Sequence, residues 1–260
     1  MESLVHQLLP TLNALWWPFC RILAMLTAAP VIGEVMVPVP VRVLLSVALA
    51  VVMLPLAAGG AAIDALSLQG VAATFEQAVI GGVLGLAFHF SMAAVNVLGT
   101  LVSSQVGFSM AAMNDPMNGS SSDVISGLLS MLCIVVFFAI DGHLMLTGVV
   151  GASFRAWPIG GGYGPLLLHS VAANVAWVFA AAMLLALPVV FSTLVVQLGF
   201  GFLNRIAPSL NLYSLGFSVI TLFGLVMLEQ VVRFLPEHYI GMTNRVLELL
   251  QQQMGAALHG

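Results

Sequence analysis

Residues 71–103 read VAATFEQAVIGGVLGLAFHFSMAAVNVLGTLVS and hold a single charged side chain, Glu76. A helix of about 33 residues rises roughly 50 Å at about 1.5 Å per residue, well beyond the roughly 30 Å hydrocarbon core of a bilayer. Such a run tilts strongly, breaks in two, or extends past the lipid packed against protein. Gly81, Gly82, Gly85 and Gly99 lower its helix propensity but suit close approach between helices. Outward from this run the pattern repeats. Further apolar runs cover residues 12–29, 41–58, 124–140, 166–198 and 212–234, separated by Pro, Gly, Ser and Asp clusters. The sequence therefore predicts an all-α polytopic membrane protein with about six long helical segments, some of them broken hairpins. The natural division is a helical membrane domain over residues 1–235 and an amphipathic tail over 236–260.

Composition gives the same answer. Of the 260 residues, 61% are hydrophobic and 6% charged, with a mean hydropathy of +1.11. A soluble domain carries about 25% charged residues, because its surface must be wetted. Residues 1–11 contain Glu2 but no Lys or Arg, so they lack the positive start of a cleavable signal, and the first helix is expected to be retained. The tail, PEHYIGMTNRVLELLQQQMGAALHG, sets Met242, Val246, Leu249, Leu250 and Met254 at helical spacing, as expected of a helix lying on a surface or a partner.

Charge excludes several functions. There is no lysine, and Arg21, Arg42, Arg155, Arg205, Arg233 and Arg245 are scattered singly. Nucleic-acid binding needs clustered positive charge, so it is excluded. A Walker phosphate loop and a lysine Schiff base both need the missing lysine. Six spans would put Arg155, Arg233 and Arg245 on one side and Arg42 and Arg205 on the other, which leaves orientation open. Cys20 and Cys133 lie in apolar runs and are read as packing side chains.

No enzymatic motif stands. Gly107-Phe108-Ser109-Met110 and Gly216-Phe217-Ser218-Val219 approach a Gly-x-Ser-Gly nucleophile turn without its closing glycine, and there is no HExxH for zinc. The chain is read as a non-enzyme with no cofactor or metal. Asp141-Gly142-His143 has two readings: a proton relay at membrane depth, or a turn in which Asp and Gly end a helix and His takes a backbone partner. The turn is preferred. For Glu34, Glu76, Glu229 and Arg21, pairing inside an assembly is the cheapest account of a charge at such depth. Asn204-Arg205-Ile206-Ala207-Pro208 reads as a helix break with a buried arginine.

The least ordinary stretch is residues 104–123, SQVGFSMAAMNDPMNGSSSD. Gly107, Asn114-Asp115-Pro116 and Asn118-Gly119 stop the helix, yet Phe108, Met110, Met113 and Met117 are too apolar for a solvated loop. Unbranched methionines fill irregular gaps and re-pack easily. Non-helical backbone at membrane depth survives only where it lines a cavity or is buried in protein. The segment reads as a deformable seal, or alternatively as a loop packed on a neighbouring subunit.

Together these stretches resemble the FliR family of flagellar and type III secretion export-gate subunits. The resemblance rests on Arg21-Ile22-Leu23, Val37-Pro38-Val39-Pro40-Val41-Arg42, Phe75-Glu76, Ile80-Gly81-Gly82-Val83-Leu84-Gly85, Gln105-Val106-Gly107-Phe108-Ser109, Asp115-Pro116, Asp141-Gly142-His143, Ser153-Phe154, Trp157-Pro158-Ile159-Gly160 and Asn204-Arg205-Ile206-Ala207-Pro208. Their order and spacing span about residues 21–216. The resemblance implies a subunit of a helical export-gate assembly in the bacterial inner membrane, at the flagellar basal body. FliP, FliQ, FlhB and FlhA would be its partners and unfolded flagellar proteins its cargo. It implies a plug formed by Gly107, Phe108, Met110, Met113, Asp115, Pro116 and Met117. Arg21, Arg42, Glu76, Gly81, Gly85, Asp141, His143, Arg205 and Pro208 would serve structure or subunit packing. The alternative from another class is a proton-coupled secondary transporter using Asp141, His143 and Arg21, although no internal repeat of the kind transporters show is found.

Overall fold

The computed structural model describes residues 2–34, 37–57, 63–108, 123–162, 165–206 and 212–259. These form only helices: α1 (Glu2–Ala28), α2 (Val39–Ala57), α3 (Leu68–Val106), α4 (Val124–Ala139), α5 (Gly142–Ala156), α6 (Pro165–Ile206) and α7 (Leu212–His259). The all-helical, polytopic expectation holds. Among the described residues, four stretches are long and apolar enough to cross a membrane: Val39–Ala57, Leu68–Val106, Val171–Ile206 and Gly216–Leu258. A fifth span results if α4 and α5, bent by 65° at their junction, are one broken span. The first apolar run, in α1, is not among the four. Asn13, Pro18 and Arg21 dilute it.

Three helices outrun a bilayer: α3 has 39 residues, α6 42 and α7 48. The sixth apolar run and the amphipathic tail are one helix, with Pro236 inside α7. The sequence pattern had not shown α5, because Gly148, Gly151 and Arg155 interrupt its apolar run.

Contacts divide the chain into two compact units. Unit 1 comprises Met1–Phe90, Phe138–Val175 and Met242–Gly260; unit 2 comprises Ser91–Phe137 and Ala176–Gly241. In unit 1, α1 packs on α2, and α5 packs on both. The tail adds a stripe to this unit: Met242, Val246, Leu250 and Met254 are buried, while Asn244, Glu248, Gln251 and Gln252 are exposed. The expected amphipathic pattern is present, and its apolar face is covered by the chain itself. In unit 2, Leu98, Val102, Val106, Leu129, Cys133, Ala182, Ala186 and Val189 are buried. Asn96 ties α3 to α4 there, accepting from Ser126 at its backbone carbonyl (2.8 Å) and from Ser130 at its side chain.

Glycines set the approach of α3 to α1. A Cβ on Gly81 would lie 2.0 Å from the Arg21 carbonyl oxygen, and one on Gly85 would lie 2.3 Å from that of Met25. Both neighbours are backbone, so neither can step aside. Gly82, on another face, has nothing within 4 Å of such an atom. Gly81→Ala is therefore expected to lower thermal stability in detergent by about 1–3 kcal/mol through overpacking. Gly82→Ala should leave it unchanged or raise it by about 0.5–1 kcal/mol, as alanine favours helix. Equal melting of the two variants would refute the close packing.

Candidate functional site

Arg21 is fully buried, and its guanidinium is matched from three sides. Nε donates to Gln77 Oε1 at 2.8 Å, Nη1 to Ser153 Oγ at 3.0 Å, and Nη2 to the Trp157 carbonyl at 2.7 Å. The ring of Phe154 lies 4.3 Å below the guanidinium carbon, a cation–π contact. Gln77 in turn donates to Glu76 Oε1 at 3.2 Å, so a carboxylate stands one link away. The Trp157 carbonyl follows the last turn of α5, where backbone carbonyls lack helical partners and the helix dipole favours a cation. The expected partner in an assembly is not needed for Arg21. Its own chain satisfies it, since a planar fork can bind one acceptor from α3 and two from α5 and its end.

Arg42 also works on backbone. Its Nε donates to the Val37 carbonyl (3.1 Å) and Nη2 to that of Glu34 (2.6 Å), bracing the turn between α1 and α2. Asp141 holds the α4–α5 corner with a left-handed backbone, φ +56°, and its carbonyl accepts from the Leu144 and Met145 amides. Its side chain makes no capping bond and is exposed. His143 does not take the expected backbone partner: Nδ1 is buried without a hydrogen bond among the described residues, and the ring tilts against Phe138 at 5.8 Å. The corner is a turn, and the Asp141 side chain is not joined to His143.

Arg205 is exposed in the last turn of α6, not buried, as is the whole 201–206 stretch of that helix. It has no partner among the described residues. Pro208 lies outside the described residues, as do Met110, Met113, Asp115, Pro116 and Met117. Gly107 and Phe108 are described. Gly107 adopts φ +88°, and the Gly107 and Phe108 amides both reach the Ser103 carbonyl at 3.1 Å, closing the end of α3. This left-handed closure is the usual role of glycine just past a helix. Among the described residues no group of His, Cys, Asp and Glu could hold a metal.

A buried cation joining α1, α3 and α5, in a chain with several membrane-length helices, defines a helical membrane component. The chain belongs to the bacterial export proteins, family 1, the FliR family, whose model matches residues 12–246. The flagellar biosynthetic protein FliR of Pectobacterium carotovorum subsp. carotovorum is 30% identical over 238 residues, 90% of each chain. FliR of Escherichia coli K12 is 28% identical over 248 residues, 94% of each. The surface presentation of antigens protein SpaR of Salmonella typhimurium LT2 is 26% identical over 177 residues, 66% of this chain and 64% of SpaR.

The cage was missed in the sequence. Gln77 and Ser153 carry no pattern of their own, and only folding brings them within reach of Arg21. Arg21→Lys keeps the charge but loses the fork, so its folded form should lose about 3 kcal/mol, the order for breaking a buried charged network. The exposed Arg155→Lys should stay within about 0.5 kcal/mol of the parent. Unfolding in detergent measures both. Parent-like melting of Arg21→Lys would refute the cage.

Proposed function

We propose that this multi-pass membrane protein is a structural, non-catalytic subunit of the flagellar type III export gate in the bacterial inner membrane. In this reading it assembles with FliP, FliQ, FlhB and FlhA, and it helps form and seal the channel for unfolded export substrates. Membership of the export family supports the apparatus, and the FliR relatives support the flagellar branch.

The observation that carries the assembly reading is the apolar surface left uncovered. Leu184, Phe191, Phe202 and Leu222, on the over-long helices α6 and α7, are between 65 and 67% exposed. Helices longer than a bilayer cannot hide all such surface in lipid, so neighbouring subunits cover the remainder. The seal is assigned to residues 107–117. Phe108 and the methionines there supply deformable apolar volume, and the left-handed Gly107 turns the chain off the helix just before them.

Shortening residues 107–118 should leave the complex intact while membranes become permeable to potassium and small solutes. Efflux from vesicles holding the purified complex measures this, and tight vesicles with full assembly would sink the seal. Arg205→Glu, a reversal on an exposed helix end, should cut the yield of co-purified partners several-fold, as a misplaced charge at an interface costs several kcal/mol. Recovery of complex at parental yield would argue against a partner at that corner.

A further inference from the structure

Unit 1 carries an open groove of about 370 Å³ between α2 and α5. Val52, Met53 and Leu56 line it from α2, and Thr147, Gly148, Gly151 and Arg155 from α5. The groove exists because the α5 side is short of side chains. A Cβ on Gly151 would meet Leu56 Cδ1 at 3.6 Å, an ordinary contact, while one on Gly148 would find no atom within 4 Å. The Thr147 hydroxyl is spent on the Leu144 carbonyl of its own helix at 2.9 Å. One polar side chain of the lining is left free. Arg155 is exposed and has no hydrogen bond or ion pair among the described residues.

The level of this groove in a membrane follows from α2. Its 19 residues rise about 28 Å at about 1.5 Å per residue, close to the roughly 30 Å hydrocarbon core. An apolar helix of that length crosses the core with its ends at the headgroups. Arg42 lies in its first turn, and Arg155 shares the groove with Leu56 of its last turn, so a cation stands at each end. An arginine at a helix end keeps its stem on apolar surface and its head at the interface.

The two halves of the lining ask for one kind of occupant. A guanidinium offers paired donors that match phosphate oxygens. Val52 and Leu56 offer exposed hydrocarbon. A small soluble anion would gain nothing from the α2 side, and a plain hydrocarbon nothing from Arg155. We propose that the α2–α5 groove binds an anionic phospholipid, with an acyl chain along Val52, Met53 and Leu56 and the phosphate on Arg155. The site needs only α2 as a membrane span and does not depend on the gate reading.

The test uses the full chain, extracted in mild detergent with whatever proteins co-purify. It is offered phosphatidylglycerol or phosphatidylcholine with identical chains, and native mass spectrometry counts the lipid retained. The parent should retain phosphatidylglycerol about fivefold better, the order expected of one arginine facing an anionic headgroup. Arg155→Gln should abolish that preference and Arg155→Lys should keep most of it. Arg233→Gln, at an exposed arginine of α7, should leave it whole. Gly148→Leu puts a side chain into the open groove and should reduce retention of both lipids. Should that variant unfold, Arg155→Gln at its exposed site still decides. Equal retention of the two lipids by the parent overturns the proposal, as does equal loss of preference in Arg155→Gln and Arg233→Gln. Displacement of the lipid by excess inorganic phosphate would mean a simple anion site and overturns it too. If lipid retention is unchanged in every variant while Gly148→Leu lowers the yield of co-purified proteins, a neighbouring protein fills the groove and the proposal falls.

Discussion

A guanidinium withdrawn from water must have its donors matched, and Arg21 of α1 meets that demand with side chains and backbone from two other helices. Gln77 comes from α3, Ser153 from α5 and the Trp157 carbonyl from the end of α5, while Phe154 closes the face of the ion. An unmatched cation at that place would cost about 3–5 kcal/mol, a large part of a domain's whole stability. The acceptors therefore fix where α1, α3 and α5 can lie in unit 1. Gly81 belongs to the same constraint, for its missing side chain leaves room for the Arg21 backbone. Arginine and glycine are two halves of one packing solution, one supplying bonds and the other nearness.

Both units use the same device at a helix end. In unit 1, Arg21 serves a carbonyl just beyond α5; in unit 2, Thr221 serves the final carbonyl of α3. Where water is scarce, an orphan carbonyl needs a donor from elsewhere in the protein. Helix ends thereby become the points at which separate elements are tied. A component built from long helices with apolar outer faces has few other polar groups for the purpose.

The fold class could be read from hydropathy alone, since few charges and long apolar runs admit little else. The helix junctions were partly legible. Asp141-Gly142 and Gly107 announced turns by residue type, and both adopt the expected corners, with positive φ at Asp141 and Gly107. Period and composition missed α5, whose glycines and arginine break its apolar run, and they missed the continuity of α7 through Pro236. A proline within a helix does not end it when neighbouring contacts hold both sides. Arg21 drew notice as a charge among apolar residues, but its partners lie 56 to 136 positions away, and nothing local marks Gln77 or Ser153. Arg205 was misjudged because a hydrophobic sequence around a charge does not distinguish a core from an outer face left for something else to cover.

The division of α7 bears on how the protein is made. Residues 212–241 belong to unit 2, whereas the stretch from Met242 onward completes unit 1, whose other parts are Met1–Phe90 and Phe138–Val175. Domains emerging from the ribosome usually settle in the order of synthesis. Here the unit begun first is finished last, because the stripe of Met242, Val246, Leu250 and Met254 reaches it only after every part of unit 2 has been translated. Until then the nascent chain carries an unfinished first unit, with apolar surface that its own last helix will cover. Holdase chaperones and the insertion machinery thus have a long interval in which to act on it, and the final turns of α7 mark when that interval closes.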